Sequence, residues 1–122
     1  MVIGLISSVA VFFLGMGLYA LVAPASLIRP FGFALVLPES RAEVRAVYGG
    51  FGLAIAGVLV YAALHPSASD AILITVAVAL AGMAVGRLIS AVVDGRTAFY
   101  PNWFYFLVEV VLAAALVFAA VI

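Results

Sequence analysis

Hydrophobic residues run along this chain in four long blocks with hardly a polar break. Each block is about as long as the 20 or so residues a helix needs to cross a bilayer core. The first, 2–23, is stopped by Pro24. The second, 41–64, follows "SRAE", which reads as a capping box with Ser40 as N-cap and Glu43 three residues on. It closes at "HPS", since Pro66 disfavours helix at His65. The third, 70–93, follows Ser69 and ends at Asp94–Gly95, glycine being a common helix stop. The fourth, 101–121, opens on Pro101, which suits a first helical turn. The pattern predicts an all-α protein: one integral membrane four-helix bundle over 1–122.

The connections sharpen this picture. "HPSAS" and "GRTAFYP" are short, so spans two, three and four are antiparallel neighbours in sequence order. The link 24–39, "PASLIRPFGFALVLPE", is fenced by Pro24, Pro30 and Pro38. It is too apolar for a solvated loop and too short to span. A short interfacial segment fits, with a helical turn around Ala25 to Ile28 or Phe33 to Leu37. The first block has no Lys or Arg before it and is longer than a signal-peptide core, so it reads as a true span.

Composition supports the membrane reading. Of 122 residues, 70% are hydrophobic and 8% charged, and the mean hydropathy is +1.45. Soluble proteins average about half apolar and a quarter charged, so this chain cannot clothe a water-facing surface. Zero net charge gives no attraction to nucleic acid. No cysteine is present, which removes disulfides and thiol chemistry. A single histidine, His65, is too few for an ordinary imidazole metal site. No metal and no cofactor is called for. No nucleophile–base pair or phosphate loop appears, so catalysis is not expected.

Four spans place both termini and "HPSAS" on one side, and the link and the "DGRTAFYP" turn on the other. Arg29, Arg41, Arg45 and Arg96 all lie at or near this second side, the arginine face. Positive residues stay cytoplasmic, so the arginine face is expected in the cytoplasm and both termini outside it. "FYPNWFYF", residues 99–106, supplies an aromatic belt there.

Candidate chemistry lies in the same half. Arg87 is seven residues before Asp94 and Glu109 eight after Pro101. At about 1.5 Å per residue, both lie roughly 10–12 Å below the arginine face. Opposite charges at one depth on neighbouring helices are expected to pair, facing inward. Helical spacing adds Asn102 and either Tyr105 or Phe106 beside Glu109, Ser90 or Ala91 and then Asp94 beyond Arg87, and Arg45 and Tyr48 from span two. The expected buried polar cluster is therefore Arg45, Tyr48, Arg87, Asp94 and Glu109. Gly49, Gly50, Gly52, Gly82 and Gly86 are expected to pack helices closely.

"EVRAVYGGFGLA" opening span two, "GRLISAVVDG" closing span three and a glutamate inside span four resemble a family of small bacterial four-span membrane proteins of unknown function. The resemblance covers nearly the whole chain. Its matching positions are Glu43, Arg45, Tyr48, Gly49, Gly50, Gly86, Arg87, Asp94, Gly95 and Glu109. It implies a four-helix integral fold in a bacterial inner membrane and supplies no activity. A likeness to DoxX-type proteins is one of architecture, which does not fix function.

Two functional readings stand open. In one, the bundle binds a lipid-like or quinone-like molecule, its polar head at the Arg/Glu level. In the other, it is an accessory subunit that docks on a larger membrane complex, or self-associates, through its glycine faces. The Arg87–Glu109 pair serves as a ligand contact in the first and as a structural clamp in the second. A proton-coupled transporter of similar size is disfavoured, because the key glutamate such proteins carry in span one is absent.

Overall fold

The computed structural model describes the chain from residue 1 to 122. Helix α1 is Val2–Val22, and α2, Pro24–Ile28, is a short helix continued by a 3-10 turn over Arg29–Phe31. The remaining long helices are α3, Pro38–Leu64, α4, Pro66–Asp94, and α5, Phe99–Val121. There are no strands. The four long helices are each long and apolar enough to cross a membrane.

Prolines set the boundaries. Each of α2, α3 and α4 begins on one. The residues before them, Ala23, Leu37 and His65, are non-helical (ψ 64°, 152° and 84°), because the proline ring clashes with a helical predecessor. This corrects two expected starts. α3 begins at Pro38 rather than 41, so Ser40 lies inside its first turn and makes no capping bond with its side chain. α4 begins at Pro66 rather than 70, taking Ser67, Ser69 and Asp70 into the helix. The expected turn at Ala25–Ile28 is helical, whereas 33–36 is irregular, since Gly32 at φ 85° turns the chain out of the 3-10 turn. The first turn of α5 is disturbed: Tyr100 before Pro101 takes ψ 131°, and regular helix starts at Phe104.

The long helices form a ring in the order α1, α3, α4, α5, with α5 closing on α1. The half near the termini is a solid core. Ile6, Val9, Leu59, Leu73, Val76 and Leu116 are buried there in one cluster with small residues such as Ala62, Ala77 and Ala119 between them. The outer surface is apolar, with Val22, Val78, Val92 and Val111 exposed. Such a surface suits hydrocarbon.

The tightest contact is between α1 and α3, and glycine makes it. A Cβ on Gly17 would lie 2.9 Å from the Gly49 carbonyl oxygen and 3.0 Å from the Leu53 nitrogen. One on Gly52 would lie 3.1 Å from the Phe13 carbonyl oxygen and 3.2 Å from the Gly17 Cα. Here backbone rests on backbone, as small residues permit in lipid. Of the expected packing glycines, Gly49 and Gly52 take part. Gly50, Gly82 and Gly86 do not: all three are exposed, and around Gly82 and Gly86 an added Cβ would meet nothing within 4 Å. Their spacing put them on one stripe of α4, but that stripe faces outward.

Within α3, Arg45–Gly50 winds as a wide π turn. The extra residue in such a turn rotates what precedes it by roughly 100° relative to a continuous α-helix. Arg45 and Tyr48 both lie within this wider turn, where the three-residue spacing of an α-helix no longer aligns them, and they do not share one inward face. Arg45 is exposed, and its Nε donates to the Leu21 carbonyl at 2.9 Å. It thereby caps the C-terminal end of α1, whose last turn has no basic residue of its own.

Candidate functional site

In the arginine-face half the bundle interior changes from solid core to a cavity of about 50 Å³. Its walls come from every long helix, and α2 with Phe31 lies across it. Two charged side chains reach it, Arg87 from α4 and Glu109 from α5. They make a forked pair: Arg87 Nε donates to Glu109 Oε1 at 2.8 Å, and Nη2 to Oε2 at 3.0 Å. Arg87 Nη1 donates to Asn102 Oδ1 at 3.2 Å. This two-pronged geometry is the strong form of an ion pair. The Glu109 side chain is 5% exposed and that of Arg87 20%.

The local sequence explains the placement. α4 and α5 are joined by a short turn and pack closely along their length. Asn102, in the disturbed first turn of α5, and Glu109, in its regular part, both reach Arg87 on α4. Aromatic rings close the site from the arginine face. The Arg87 guanidinium carbon lies 5.9 Å from the centre of the Phe31 ring and 5.8 Å from that of Tyr105, within cation–π range. The two rings are themselves 5.5 Å apart.

The expected cluster is thus smaller than the spacing suggested. Arg87 and Glu109 meet, and Tyr48 lines the same cavity. Arg45 is diverted to the end of α1 by the π turn. Asp94 is exposed two turns nearer the end of α4 and accepts a hydrogen bond from Ser90 Oγ at 3.2 Å. His65 is exposed at the terminal face, stacked on Tyr61 with ring centres 3.9 Å apart. Phe31 was not anticipated. Its signal was "RPFGF", a proline-fenced turn with a glycine able to reverse it. Met16 and Met83 in the cavity wall gave no signal, being two apolar residues among many.

A ring of four helices, each long and apolar enough to cross a membrane, with a solid core at one end and a neutralised ion pair in a small cavity at the other, has the architecture of a multi-pass membrane bundle with a buried polar site. The chain belongs to the family described as a domain of unknown function, DUF4345, which it matches over residues 3–120. No curated protein and no solved structure matches it.

Proposed function

We propose that the protein is a membrane-embedded binding module for a neutral amphiphile, lipid-like or quinone-like, whose polar head reaches Arg87. The observation that carries this is the state of that guanidinium. Of its five N–H donors, three are engaged by Glu109 and Asn102. Two remain, on a side chain that borders an otherwise apolar cavity. The Glu109 carboxylate cancels the charge of Arg87, so the site offers hydrogen bonds without net attraction for an anion. A carbonyl or ester oxygen is the acceptor it suits. Few convergent polar groups in an apolar pocket are the usual signature of a small-molecule site.

Native mass spectrometry of gently extracted protein tests the reading. The wild type is expected to retain a small neutral molecule. The double variant Arg87→Gln with Glu109→Gln is expected to fold and to lose it. Retention of the same molecule by the double variant overturns the reading. Retention of a partner chain and no small molecule favours an accessory subunit. That second reading draws support from Gly82 and Gly86, which leave an unfilled small-residue strip on the outer face of α4.

We place the protein in a bacterial inner membrane with the arginine face in the cytoplasm. The support is the asymmetry of Arg29, Arg41, Arg45 and Arg96. A reporter enzyme that works only in the periplasm is expected to be active when fused after Ile122. Activity of a cytoplasm-only reporter at that position reverses the orientation and leaves the four-helix fold untouched.

A further inference from the structure

The cavity beside Arg87 is too small for the molecule proposed to bind there. At about 50 Å³ it has room for a few water-sized groups, each needing about 10–15 Å³ of such space, and not for a hydrocarbon chain. A hydrocarbon chain attached to a polar head there must leave the cavity, and three grooves share its lining. One, toward the 95–102 turn, is bordered by Ser90, Thr97 and Asn102, and another by Glu39, Ser40 and Glu43. The first is about as polar as it is apolar, and the second, though mostly apolar, carries the carboxylates of Glu39 and Glu43 in its wall, where a hydrocarbon chain would strip them of water. The third is a groove of about 540 Å³ on the outer side between α3 and α4. It is almost wholly apolar, and it shares Phe13, Met16, Tyr48 and Met83 with the cavity.

The geometry points to this groove as a lateral portal, through which one acyl chain of a bilayer lipid runs from the membrane to the Arg87 cavity. The inference rests on the binding reading above and adds the route and the chain. Local sequence opens the gap. Ala46, Gly52 and Ala79 put little bulk into it, and the π turn at Arg45–Gly50 forms its rim. α3 touches α4 less closely than it touches α1. Met16 and Met83 stand between groove and cavity. Unbranched thioether side chains re-pack readily around different shapes, so they serve as a gate that a chain can part. The groove opens on the lipid-facing side of the bundle, where hydrocarbon is the solvent.

The test uses the full-length protein in vesicles of phosphatidylethanolamine and phosphatidylglycerol. These are doped with a phosphatidylcholine bearing a diazirine at the end of one acyl chain. After irradiation, peptide mass spectrometry is expected to find label on Phe13 and Met16, which form the floor of the groove. Ala79→Trp, a change at an exposed position, is expected to plug the groove and reduce that label at least tenfold. Ala81→Trp, also exposed but outside the groove, is expected to leave it unchanged. Label confined to outward residues such as Val78 and Val85, or inner label indifferent to Ala79→Trp, overturns the portal. The binding reading fails separately. If inner label appears and responds to Ala79→Trp, yet extracted wild type retains no small molecule, the portal stands as a lipid groove and the head-group role of Arg87 falls.

Discussion

Replacing Glu109 with glutamine is expected to destabilise the bundle by about 3 kcal/mol, because it strands Arg87 in an apolar interior. Arginine cannot shed its proton to escape. Asn102 Oδ1 at 3.2 Å and the Phe31 and Tyr105 rings soften the loss without replacing two charged acceptors. Arg87→Gln alone strands Glu109 instead, which is the more deeply buried partner. The double glutamine variant should recover part of either loss, two neutral amides being cheaper to bury than one unpaired charge. Thermal unfolding in detergent measures all three. Glu109→Gln with wild-type stability, or a double variant worse than both single ones, contradicts a paired, desolvated site.

The second large effect concerns α1 and α3. Gly17→Val should cost about 1–3 kcal/mol, since overpacking of a fitted contact is destabilising. The upper end is expected here. The Gly49 oxygen and Leu53 nitrogen, at 2.9 and 3.0 Å from the new Cβ, are backbone atoms of a continuous helix and cannot rotate aside. Gly52→Val should behave alike. Gly82→Ala and Gly86→Ala provide the contrast. Both have open space and sit inside a helix, so alanine should be neutral or stabilising by up to about 1 kcal/mol. Melting temperatures in one detergent rank the four variants. A ranking in which Gly82→Ala is the most damaging refutes the assignment of the close contact.

These two sites differ in how far the chain foretold them. The level of Arg87 and Glu109 can be counted from the ends of two spans joined by a short turn, and opposite charges in an apolar interior have few alternatives to meeting. Depth and charge were both written locally. Gly17 was not distinguishable from Gly15 two residues away, because a chain rich in glycine and alanine offers many equivalent stripes. Only the approach of α3 selects one. Arg45 illustrates a third case. Spacing placed it with Tyr48, but the π turn inserted a residue into the count, and nothing in "RAVYGG" announces that turn. The starts of α3 and α4 were legible in principle. Proline in the first turn outweighs a Ser-x-x-Glu pattern, since the ring fixes both its own backbone and that of its predecessor.

The bond from Arg45 to the Leu21 carbonyl has a consequence for how the protein can diverge. It joins residues 24 positions apart and so ties both ends of the crossover that carries α2 and Phe31. Below that tie, Gly17 and Gly52 hold the two helices backbone to backbone. The crossover is therefore a loop whose ends are fixed by contacts it does not make itself. For such a loop, added length is cheap: each doubling costs only about 0.6 kcal/mol in closure entropy. Residues added in its irregular stretch, 33–36, should thus cost the bundle beneath little, whereas Ile28 and Phe31 are held by their own packing. The roof of the cavity is thereby separable from the helix contacts that hold its ends, whereas Arg87 and Glu109 beneath it belong to the bundle itself.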